Sequence, residues 1–191
     1  NPQSTIDMTA PTHLSFGILS LLGIGALIGR PVTLPAVGLV TIGALLPDID
    51  TSQSTIGRLL FPLSAWLERR LGHRGAVHSL FALMVLGFAT VPLAMSNRWW
   101  WMALLIGYFS HLLLDTLNKE GVPLFYPSPV RAVMPKARRW RIAVGSKAEI
   151  VLLIVFSIFA LLLVPINRAG LFPSLHALLK DIHSAIADYR A

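Results

Sequence analysis

Between Leu14 and Leu46 the chain carries one charged residue, Arg30, and three further apolar runs follow, ending near Met95, Asp115 and Val164. Charged residues make up 13% of the 191 and hydrophobic ones 54%, with a mean hydropathy of +0.67. An ordinary soluble domain carries about 25% charged residues. Such runs with such a deficit predict an all-α integral membrane protein. The expected form is a polytopic helical bundle of about five transmembrane or membrane-embedded helices, with interfacial amphipathic helices beside them. The formal charge of +7 would point to nucleic acid in a soluble protein. Here Lys and Arg gathered in cytoplasmic loops account for it, so nucleic acid is not an expected partner. The absence of cysteine removes disulfides and thiolate metal sites, leaving His and carboxylate for any metal.

Gly29-Arg30-Pro31 and Pro35 divide the first run into helices at about Thr12–Ile28 and Leu34–Leu46. Leu46-Pro47-Asp48-Ile49-Asp50 ends the second, with the two aspartates expected in an extended or turn segment. From Thr51 to Gly72, Ile56, Leu59, Leu60, Leu63, Trp66 and Leu67 recur at helical spacing, predicting interfacial helices interrupted near Pro62. A third apolar helix is expected over Ser79–Met95, capped by Ser79. Trp99-Trp100-Trp101 anchors a fourth, and a fifth runs from about Glu149 to Val164. A proline-stiffened loop, Lys119 to Lys147, separates the last two. Asn1–Asp7 reads as a cloning remnant, 8–170 as a membrane-embedded catalytic domain and 171–191 as a C-terminal amphipathic helix carrying surface residues His176 and His183.

The fourth helix holds the most informative pattern. His111 and Asp115 are four apart, hence on one face of an otherwise apolar cylinder. Ionisable groups there cost roughly 2.5–3.5 kcal/mol on insertion scales and have a functional or pairing reason. The pair is either a hydrogen-bonded lock between helices or two metal ligands. With a cytoplasmic N-terminus and five spans, the basic residues between Arg58 and Arg74 and between Lys119 and Lys147 fall inside. Only Arg30, Arg98, Arg168, Lys180 and Arg190 fall outside. That same topology places His13, Asp48, Asp50, His73, His78, His111 and Asp115 together at the cytoplasmic face. Imidazole and carboxylate together suit Zn, with Mn, Fe or Ni as alternatives. The set fits two ions bridged by a carboxylate, the preferred reading, and equally one zinc with carboxylates orienting its histidines. Arg74 would stabilise developing negative charge or clamp a phosphate, or else snorkel or pair with an aspartate. Arg58 and Asn118 are candidate headgroup contacts, and the basic run Arg131–Arg141 is expected to face anionic lipid.

Thr12-His13, Leu46-Pro47-Asp48-Ile49-Asp50, Ser54-Thr55-Ile56-Gly57-Arg58, His73-Arg74-Gly75-x-x-His78-Ser79 and Gly107-Tyr108-x-Ser110-His111-x-x-x-Asp115 occur here in that order. Together they resemble the YdjM family of bacterial and archaeal inner-membrane proteins, some under LexA control, for which metal-dependent hydrolysis is the inferred activity. The match runs from about Met8 to Pro127, through Gly121-Val122-Pro123-Leu124 and Tyr126-Pro127. The chain departs from the pattern at Thr51-Ser52, where the family often has His-Pro, and at Val77, where it often has Thr. More loosely, the first-helix His, the Asp and the His-x-x-x-Asp are similar to zinc-dependent phospholipase C, which cleaves phosphodiesters.

The resulting expectation is a multi-pass inner-membrane hydrolase with its metal site facing the cytoplasm. It would cleave a lipid or lipid-linked ester, most readily a phosphoester, with a metal-activated water. Asp48 or Asp50 would take the proton. A metal-stapled scaffold without turnover is the alternative. A transporter ranks last, because ionisable groups are missing from mid-membrane.

Overall fold

The computed structural model describes residues 9–71 and 75–169, so the expected cloning remnant, His73, Arg74 and the expected C-terminal amphipathic helix with His176 and His183 lie outside the described residues. Among the described residues eight α-helices follow in order: α1 Ala10–Leu27, α2 Leu34–Leu45, α3 Thr55–Leu59, α4 Phe61–Leu71, α5 Leu80–Ala89, α6 Val91–Ser96, α7 Arg98–Asp115 and α8 Lys147–Ala169. Short 3-10 turns cover Leu46–Asp50, Ala76–His78 and Arg138–Trp140. Among the described residues the only β pairing is two isolated bridges, Asn118 with Ile142 and Val122 with Ala132. The all-α expectation holds.

Local chemistry sets most boundaries. α1 ends at Gly29, whose φ of +65° suits glycine. The Arg30 amide then donates to the Gly25 carbonyl at 2.8 Å and the Gly29 amide to Ala26 at 3.3 Å, a Schellman closure. Ser54 caps α3 by accepting from the Gly57 amide at 2.8 Å. Ser79 caps α5, accepting from the Ala82 amide at 3.2 Å, as expected for a cap rather than a nucleophile. The interfacial helix breaks at Leu60, with Pro62 in the opening turn of α4. The helix expected over Ser79–Met95 is instead two, α5 and α6, parting at Thr90. Pro92 has no amide to bond backwards, so a new helix starts around it.

Among the described residues two helices are long and apolar enough to cross a membrane, Ala10–Leu27 and the Lys147–Asn167 portion of α8. At 12 and 10 residues, α2 and α5 are shorter than the ~17–25 that a span needs. Continuing past Pro165, α8 is longer than the sequence suggests.

α2 and α7 approach until their backbones meet, and two glycines permit it. A Cβ at Gly43 would run into the Leu104 carbonyl oxygen, and one at Gly107 into that of Val40. No side chain fits there, so the backbones touch, as small residues allow between apolar helices. Leu21, Ala36, Val40, Trp99 and Ala103 pack one half of the core; Tyr108, Leu112 and Val122 pack the other. The loop after α7 folds back on it. The Met134 amide reaches the Thr116 carbonyl at 2.7 Å and the Ile142 amide that of Leu117 at 2.9 Å. Arg141 staples this loop through the carbonyls of Pro135, Lys119 and Lys136 at 3.0, 3.0 and 2.7 Å.

Candidate metal centre

The α2–α7 contact carries the end of α2 to the last turns of α7. His111 is the hinge of the result. The final carbonyls of any helix have no partner within it, and the His111 ring uses one of them: Nδ1 lies 2.7 Å from the Ala44 carbonyl oxygen. A carbonyl only accepts, so Nδ1 carries the proton and Nε2 presents its lone pair inward. His78 is held in the same way, with Nδ1 3.1 Å from Asp50 Oδ2. On α7, Asp115 receives a hydrogen bond at Oδ1 from Asn118 Nδ2 at 2.7 Å. The Tyr108 hydroxyl donates to the Val77 carbonyl, tying the turn that carries His78 to α7.

Four atoms now converge. His111 Nε2 lies 3.5 Å from Asp48 Oδ1 and 3.6 Å from Asp115 Oδ2. His78 Nε2 lies 3.7 Å from each of the same two oxygens. These separations are too long for hydrogen bonds, which for N–H···O end near ~3.2 Å. They do suit atoms that share an ion: two ligand atoms on a zinc-sized cation, with arms of about 2.0–2.2 Å at tetrahedral angles, stand roughly 3.3–3.6 Å apart. Asp48 Oδ1 and His111 Nε2 are buried with no hydrogen-bond partner among the described residues, which such a cation would supply. His13 joins from α1, its Nε2 3.7 Å from Asp115 Oδ1 and its ring stacked on His111 with centroids 3.7 Å apart. Two donor triads result, His13–His111–Asp115 and Asp48–His78–His111. His111 is common to the two triads.

The electrostatics suit a cation. Burial opposes the charge of Asp48, yet His111, His78 and His13 around it hold its pKa below the usual carboxylate value. His78 goes the other way, up to about 10: burial would lower it, and the carboxylates of Asp48, Asp50 and Asp115 outweigh burial. The cluster thus draws positive charge to His78 Nε2, where a proton and a metal ion compete.

A family profile described as YdjM inner membrane protein matches residues 8–179. The chain belongs to the YdjM family. Uncharacterized protein YvsG of Bacillus subtilis is 37% identical over 132 residues, 67% of this chain and 79% of that protein. Inner membrane protein YdjM of Escherichia coli is 41% identical over 96 residues, 48% of each chain, and the Shigella flexneri protein of the same name gives the same figures. The chain therefore matches about half the length of those two. No solved structure matches.

In this YdjM family member six of the seven expected ligands meet: His13, Asp48, Asp50, His78, His111 and Asp115, all buried. The seventh, His73, lies outside the described residues, as does Arg74. Two expected roles change. Asp48 and Asp50 sit in a 3-10 turn, the turn form of the expected segment, and Asp50 is a brace in place of a ligand. Two residues apart on that turn, their side chains diverge, so Asp48 faces the four-atom group while Asp50 backs His78. Asn118, read as a headgroup contact, is 2% exposed and braces Asp115. Arg58 is exposed on α3 with Nε on the Gln53 carbonyl at 2.9 Å and is not part of the buried cluster. The Ala44 carbonyl leaves no trace in the sequence, because any residue there supplies one.

Removing an outer brace should weaken the centre without deleting a ligand. Asp50→Ala and Asn118→Leu are each expected to lower metal affinity by about 10–100-fold, measured by competition with a chromophoric chelator. Wild-type affinity in both would mean that His78 and Asp115 need no bracing.

Proposed function

We propose that this protein is a membrane-embedded, metal-dependent hydrolase acting on a lipid or lipid-linked ester, with a phosphoester as the leading class. The observation that carries this reading is the four-atom group of His78 Nε2, His111 Nε2, Asp48 Oδ1 and Asp115 Oδ2, with His13 beside it. A divalent ion, zinc by the donor chemistry, supplies Lewis acidity and lowers the pKa of a water. Three of the five side chains suffice for a catalytic zinc, so a water can take a place without leaving the ion under-coordinated. The overlap of the triads at His111 favours one ion over two.

The other groups have roles in binding and orientation. Asp50 Oδ2 keeps the Nδ1 proton of His78, which makes it a brace in place of the expected proton acceptor. Arg74 is assigned to developing negative charge on the substrate. The five-span topology with its N-terminus inside belongs to this proposal, with α2 and α5–α6 entering the bilayer as short segments. It sets the centre at the cytoplasmic interface, where an amphiphile presents its head to water and its chains to lipid.

A second reading, a metal-stapled scaffold, draws on the complete burial of His13, His78, His111 and Asp115. Metal analysis of detergent-purified protein, followed by turnover assays on phosphatidate, phosphatidylglycerol, polyprenyl phosphate and diacylglycerol, separates the two. The expected result is about one ion per chain and metal-dependent release from a phosphorylated lipid. Stoichiometric metal with no release from any member would favour the scaffold, and no metal would end both.

A further inference from the structure

Ser146-Lys147-Ala148-Glu149 opens α8 with the Ser-x-x-Glu pattern of a capping box. In such a box both side chains serve their own helix end. Ser146 does so, its Oγ accepting from the Glu149 amide at 3.4 Å. The carboxylate does more. Oε2 accepts locally from the Gly145 amide at 2.6 Å, but Oε1 crosses to the start of α1. There it accepts from the Thr9 amide at 2.5 Å, the Thr9 hydroxyl at 3.0 Å and the Thr12 hydroxyl at 3.2 Å. Glu149 is 2% exposed.

This contact falls where α1 needs it. Thr9 stands at the N-cap without a side-chain cap bond of its own, and a carboxylate at a helix N-terminus is favoured by the helix dipole. The residue after Thr12 is His13. Unlike His78 and His111, His13 has no hydrogen bond at either ring nitrogen among the described residues. Its stacking on His111, the approach of its Nε2 to Asp115 Oδ1 at 3.7 Å and the placement of the first turn of α1 orient it.

We propose that Glu149 is a positioning residue for His13. From α8 it fixes the height and rotation of the first turn of α1, and so the direction in which His13 meets Asp115 and His111. This rests on the metal reading above. A second clamp lies at the other end of the same helix pair: Asn167 accepts from the Val32 amide at 2.7 Å and donates to the Arg30 carbonyl at 3.4 Å. It holds α8 to the α1–α2 connection at the end remote from His13, and so serves as a control.

The test is cobalt substitution of the full chain in detergent, because the visible d–d spectrum reports which ligands are bound. Glu149→Ala is expected to bind cobalt about 10-fold or more weakly, with the spectrum of His13→Ala. Glu149→Gln, which keeps an acceptor oxygen for Thr9 and Thr12, should restore the wild-type spectrum. Asn167→Ala should lower the melting temperature and leave the spectrum unchanged. If Glu149→Ala does not fold, Thr12→Val carries the same expectation at smaller amplitude. Wild-type spectrum and affinity in Glu149→Ala would overturn this inference alone. A wild-type protein that takes up no cobalt would overturn the metal reading and this one with it.

Discussion

Alanine in place of His111 is expected to strip the purified protein of its metal, with a loss of affinity beyond the ~10–100-fold of an outer brace. The size follows from its place in the geometry. His111 belongs to both donor triads, and its Nε2 lies 3.5 Å from Asp48 Oδ1 and 3.6 Å from Asp115 Oδ2. Its removal also leaves the Ala44 carbonyl without the imidazole that accompanies it, and exposes Asp48 and Asp115 to each other with less positive charge between them. Inductively coupled plasma analysis of wild type and variant after identical dialysis measures the effect. Metal retained at wild-type stoichiometry would remove His111 from the centre and with it the reading that unites the two triads.

The second large effect involves no polar side chain. Gly43→Ala and Gly107→Ala each add one methyl group, yet each drives a carbon into a backbone oxygen of the facing helix. A side chain could rotate away from such a contact; a backbone carbonyl inside a helix cannot. The helices must separate, at a cost at the upper end of the ~1–3 kcal/mol typical of overpacking. Separation also draws Asp48 and His111 apart, so both variants are expected to lose metal with every ligand intact. Gly38→Ala lies in α2 with nothing within 4 Å of the new carbon. It should be neutral or stabilising by up to about 1 kcal/mol, since alanine is the better helix former. Thermal melting in detergent with metal analysis of the three variants provides the check. Equal behaviour of Gly38→Ala and Gly107→Ala would mean that the α2–α7 crossing is not what assembles the centre.

Much of the cluster is legible in the amino-acid sequence, for a reason particular to apolar chains. Imidazoles and carboxylates are rare among long leucine- and alanine-rich runs, so His13, Asp48, His78, His111 and Asp115 stand out by contrast. Helical period alone puts His111 and Asp115 on one face. Glycine and proline mark the end of α1 and the start of α2, and Ser79 announces its cap, because these signals act within one turn of chain. The break at Thr90 escapes such a reading because Pro92 lies inside an unbroken apolar run, where hydropathy does not register a missing amide.

What the linear chain leaves undecided is the division of labour among the polar groups. Asp50 looks no different in sequence from Asp48, and nothing in the sequence ties Asn118 to Asp115; which oxygen faces the centre and which faces a neighbour depends on the rotation of a 3-10 turn and of a helix end. Glu149 reads as an ordinary cap until α1 is seen against α8. The acceptor that sets the His111 tautomer is a main-chain carbonyl, present at every position. Residue type and short-range spacing therefore determined the helical class and the cast of candidate ligands. Tertiary packing, through the bare contact at Gly43 and Gly107, decided which of them share a cation-sized volume, because bringing atoms 67 residues apart to within 2.7 Å depends on how two backbones meet.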